Sequence, residues 1–130
     1  MNKVRVARKD IVAYKQFLAG REARSPLQYY NWGILRQNQV LYPGGYDGFC
    51  EADAICCGGI HAFTSLIAAE NALPSCNMVI WQVVIPKGTR YYRATAADVK
   101  SVWSSPIVGT IVRAAVLRLV RRVAVRPAAN

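Results

Sequence analysis

The sequence predicts an α+β fold: one small domain spanning residues 1–130, with a central, mostly antiparallel sheet, a main helix over 62–72 and a second helix at the C-terminus. Three observations carry this expectation. Apolar residues make up 53% of the chain against 18% charged, enough to build one core. Runs rich in β-branched residues alternate with turn signals. Helical stretches fall among those runs without a regular βαβ repeat, which favours α+β over α/β.

Ile11 to Leu18 is an apolar run with strand character, and Val4 to Ala7 is a short strand leading into it. Gly20 and Ser25-Pro26 end that segment, and Leu27 to Leu35 suits a strand or a short helix equally well. Val40-Leu41-Tyr42 runs into Pro43-Gly-Gly-Tyr-Asp-Gly48, the densest turn signal in the chain. Ala62 to Ala72 has a helical pattern, with Thr64 or Ser65 as cap and Pro74 as stop. Met78 to Ile85 is apolar on both parities, as in a strand buried on both faces, with Gln82 its one polar side chain. Val79, Trp81, Val83 and Ile85 fall on one of those faces. Pro86-Lys87-Gly88 should fold Thr89 to Arg93 back as a hairpin. Thr95-Ala-Ala-Asp98 matches a capping box for a short helix toward Trp103. Ile107 to Val112 is a further β-branched run. Beyond it, Val112, Val116, Leu119 and Val123 recur at helical spacing.

The charge is placed unevenly. Residues 1–24 hold seven Lys/Arg against Asp10 and Glu22, residues 25–110 hold five of each sign, and residues 111–130 hold five Arg and no acid. The net charge of +10 therefore resides in two basic segments, 1–24 and 111–130. Such a distribution suits an acidic partner: nucleic acid, an anionic membrane surface or an acidic protein. Arg113, Arg118, Arg121, Arg122 and Arg126, with Lys3, Arg5, Arg8 and Lys9, are the candidate contacts. The apolar stretch 107–125 carries four of these arginines, which argues against a membrane span. The basic N-terminus is not followed by the apolar segment of a signal peptide, so the expected location is a cytoplasm.

Four cysteines, Cys50, Cys56, Cys57 and Cys76, lack the paired spacing of a zinc site, and His61 is the single histidine. Reduced thiols, one crosslink, or a Cys3His site from Cys50, Cys57, His61 and Cys76 all fit that spacing; no metal or other cofactor is expected. No nucleophile elbow, dinucleotide fingerprint or P-loop is present, and seven acids with one histidine leave few acid–base pairs. His61, just ahead of the expected helix, is the residue best placed for a special role, with Tyr91 and Arg93 of the Arg90-Tyr-Tyr-Arg93 segment as its neighbours in a candidate cleft.

Three segments carry a family resemblance: Val12-Ala-Tyr-Lys15, Gly59-Ile-His-Ala-Phe-Thr-Ser65, and Val83-Val-Ile-Pro-Lys-Gly-Thr-Arg-Tyr-Tyr92. The G-x-H-A-F and I-P-K-G-T-x-Y motifs make the chain look like a family of small uncharacterised bacteriophage proteins. It also faintly resembles the ADP-ribosyltransferase fold. There the family's arginine falls on Lys15, its Ser-Thr-Ser on Thr64, Ser65 and Leu66, and its two glutamates on Ile80 and Gln82. Without those carboxylates the transition-state cation loses its electrostatic partner. The resemblance thus implies, as one alternative, a degenerate nucleotide-binding or inhibitor protein rather than an active transferase. The function expected is that of a non-enzymatic binding or assembly component of bacteriophage type, a virion accessory or structural protein. It would dock on other subunits or on itself, with its basic segments toward an acidic surface; nucleic-acid binding through the arginine-rich end is the alternative.

Overall fold

The computed structural model describes residues 4–18, 34–43, 59–72, 78–95 and 110–123. In chain order these form β1 (Arg5–Val6), β2 (Ile11–Leu18), β3 (Val40–Leu41), β4 (Ile60–Phe63), α1 (Leu66–Ala72), β5 (Met78–Ile85), β6 (Arg90–Thr95), β7 (Thr110–Ala114) and β8 (Leu117–Val123). The eight strands make one sheet in the order β1-β6-β7-β4-β2-β5-β8-β3. Every pairing is antiparallel. The fold is nearly all-β, which corrects the α+β expectation with its two helices.

The expected C-terminal helix is instead β7 and β8. Val112, Val116, Leu119 and Val123 sit at helical spacing only because a bulge hides the strand period. Gln82 pairs with Arg121 and Val83 with Leu119, so Val120 is an extra residue that reverses the alternation. Leu117 and Leu119 are buried before the bulge, and Val123 after it. The main helix is shorter than expected, because Ile60 to Phe63 pair with β7 as a fully buried strand. Helix α1 starts after Ser65, whose Oγ accepts a hydrogen bond from the Ala68 amide at 3.1 Å.

The expected hairpin is corrected as well. β5 and β6 are both strands, but β5 lies between β2 and β8, while β6 lies between β1 and β7. Both edges of β5 are thus occupied, and the Pro86–Gly88 turn hands the chain across rather than back. The turn closes on itself through Thr89 N to Pro86 O at 3.0 Å, with Gly88 at φ +89°. It is tied to the N-terminal segment by Gly88 N to Ala7 O, Ala7 N to Thr89 O and Lys87 N to Asp10 Oδ1.

Strand alternation sorts the side chains onto two faces. Ala13, Phe17, Ile60, Ala62, Val83, Ile85, Tyr91, Val112, Ala114, Leu117, Leu119 and Leu41 form one contiguous apolar cluster on the first face. Val79 and Trp81 pack against it, completing the β5 face set expected from alternation. The second face carries α1, whose Ala68 and Ala69 are buried. The amide of Gln16 on β2 donates to the Ala69 carbonyl there. Among the described residues, no helix is long and apolar enough to cross a membrane.

Candidate functional site

The expected cleft of His61, Tyr91 and Arg93 does not assemble. His61 pairs with Arg113, and Arg113 with Tyr92, so these three lie in one cross-strand row on the helix-bearing face. Tyr91 lies on the opposite, apolar face, while Arg93, whose alternation places it there too, is exposed. His61 is a buried strand residue, not a group at a helix N-terminus. Arg113, expected as a surface contact, is 2% exposed; its guanidinium carbon stands 4.4 Å from the Tyr92 ring centroid. That cation–π stack passes directly over Gly59, where a Cβ would come within 2.6 Å of Arg113 Cγ. Gly59 therefore makes room for Arg113, and its φ of +125° suits glycine alone.

Lys15 is a buried cation on the apolar face, next in line between Ala13 and Phe17 on β2. Its Nζ donates to the His61 carbonyl at 2.7 Å and stands 5.5 Å from the Phe17 ring centroid. Loss of hydration lowers its pKa from 10.5 to about 7. The positions carried over from the transferase resemblance do not converge on it. Ile80 and Gln82 alternate onto the other face, and Ser65 is engaged in capping α1.

A partly exposed arrangement, with Val84 buried at its middle, stands on the helix-bearing face where β2, β5, β8 and β3 run side by side. One row across the strands is Val12, Val84, Arg118 and Val40; the next is Tyr14, Gln82 and Arg121. Val12 is 46% exposed and Val40 41%, and Tyr14 is half-buried. Arg121 Nε donates to Gln82 Oε1 at 2.9 Å, which holds the guanidinium along the sheet. Arg118 pairs with Asp10 at 3.7 Å and remains partly exposed. Arg122, carried past the bulge, is exposed on the opposite face across from Trp81. Arg5, Arg8 and Lys9 are exposed at the other margin of the described chain.

Among the described residues, twelve Lys and Arg stand against two acids, Asp10 and Glu70, so these residues carry the whole formal net charge of +10. The sequence shows where these cations cluster but not that they ride on strands. Tyr14, Gln82, Val12 and Val40 were missed as neighbours of the arginines. Gln82 carried a signal, as the lone polar residue of an apolar strand. Beside β8, Ile34, Arg36, Gln37, Asn38 and Gln39 border an open depression of about 550 Å³. Its turn is set by Asn38 at φ 68° and bonded to Leu119 in both directions. Lys3, Arg126, Cys50, Cys56, Cys57 and Cys76 lie outside the described residues, as does the capping box after Thr95, which itself ends β6 as a strand residue paired with Thr110. Among the described residues, no group of three or more His, Cys, Asp or Glu could hold a metal ion. No family model, curated protein or solved structure matches the chain.

Proposed function

We propose that this chain is a non-enzymatic binding or assembly protein that engages an acidic partner through the arginines of β8, in the manner of a small accessory component of a bacteriophage particle. The observation that supports this most is the display of Arg118, Arg121 and Arg122 on one folded strand beside exposed apolar side chains. Cations fixed on a strand are ordered before binding, so contact with a partner costs less side-chain entropy than it would from a tail. The phage assignment rests on the G-x-H-A-F and I-P-K-G-T-x-Y resemblance.

The test is titration of the full chain against an acidic polymer such as polyglutamate. Replacing Arg118, Arg121 and Arg122 by alanine should weaken binding more than replacing Arg5, Arg8 and Lys9. Equal affinities for the wild type and the β8 variant would remove the basis of this reading.

A further inference from the structure

The geometry points to single-stranded nucleic acid as the partner, laid across the helix-bearing face of β2, β5, β8 and β3. This rests on the reading of β8 as the binding strand and names the chemistry of what it binds. The two rows described above interleave cations with apolar and aromatic side chains on a sheet surface. Same-face neighbours lie about 4.8 Å apart between strands, so the face is a close-set platform. Arg118 and Arg121 supply charge for a phosphate backbone, and Tyr14 supplies a ring on which a base can stack. Val12 and Val40 offer exposed apolar surface on either side of Arg118. Gln82 fixes Arg121 in place and keeps an amide near the tyrosine row.

Charge complementarity selects the class of partner. Asp10 is the one acid at this margin among the described residues; it engages Arg118 and the Lys87 amide, while Arg121, Arg36 and Lys87 stand exposed nearby. A duplex presents its bases inside grooves that admit a helix or a two-stranded ribbon, whereas this face is four strands wide. A single strand turns both phosphates and base faces outward and can use the arginines and the tyrosine together.

The experiment is fluorescence anisotropy of the full chain with a labelled oligothymidylate of about 16 nucleotides, the corresponding duplex, and polyglutamate as a competitor. Tyr14→Phe should bind the single strand like the wild type, while Tyr14→Ala should weaken it about 5- to 100-fold. Arg118→Ala and Arg121→Ala should each lower the salt slope by about 0.7. Val12→Glu, at an exposed position, should also weaken single-strand binding, and it serves as a second test should Tyr14→Ala melt early. Preference for the duplex, or wild-type affinity in both Tyr14→Ala and Val12→Glu, would overturn the platform. If the arginine variants then still lost affinity for oligonucleotide and polyglutamate alike, the acidic-partner reading would survive without it. If they lost affinity for neither, both would fall.

Discussion

Lys15 sets the strongest residue-scale expectation. Its pKa falls from 10.5 in the unfolded chain to about 7 in the fold because burial strips water from the ammonium. Between those values the unfolded chain holds a proton that the folded chain has released, so stability rises as pH climbs from 7 to 10.5. The span corresponds to on the order of 5 kcal/mol. Lys15→Met should abolish that component, and the difference between the two proteins in denaturant melts should be largest below pH 7. Parallel pH profiles would show that Lys15 is not buried as described. Gly59 gives a second expectation. Gly59→Ala must displace Arg113 from the Tyr92 ring and adopt a strained backbone, so it should cost about 1–3 kcal/mol in chemical denaturation. Lys15 was legible on its face, since Ile11, Ala13 and Phe17 share its parity. That the parity faced the core was not, because an alternating lysine in a strand reads as solvent-facing.

The individual strands β1, β2, β5 and β6 were readable in the sequence from apolar and β-branched content and turn residues, whereas their partners were not. Pro86-Lys-Gly88 has the chemistry of a hairpin turn, yet the edge of β5 is taken by β2, a strand distant in sequence. Local turn chemistry carries no record of that competition. In β8 the bulge at Val120 broke the period of two and left a helical period by coincidence. This reassignment changes what truncation does. Residues 113–130 hold a strand that pairs with β5 from Ile80 to Val84, not a removable tail. Deleting them should unfold the protein rather than only reduce its charge, as a lost cooperative melt would show. Leu119→Ala removes a fully buried side chain and should cost about 2–5 kcal/mol. Carbon secondary shifts over Leu117–Val123 should be extended, and helical shifts there would contradict the sheet order.

At the scale of the whole molecule, a sheet with both faces largely buried at its centre leaves its cations to the margins. Arg113 and Lys15 are taken into the interior, Arg5 and Arg93 go to the β1–β6 side, and Arg118, Arg121 and Arg122 go to β8. The sequence located this charge at the two ends of the chain. It could not separate the buried arginine from the exposed ones, because that division depends on which strand lies at the centre. Beyond Leu119, β8 pairs only with β5 among the described residues. Arginines at such an edge also discourage strand-to-strand aggregation. As edge guards alone they would leave partner affinity unchanged, which separates the two roles. The decisive measurement is the dependence of the binding constant on salt concentration for wild type and for the Arg118→Ala/Arg121→Ala/Arg122→Ala variant, each first shown to melt cooperatively. With an acidic polymer as ligand, the variant should bind more weakly with a shallower slope, since each lost cation no longer displaces a counterion. Superimposable slopes for two folded proteins would contradict the assignment of β8 as the binding strand.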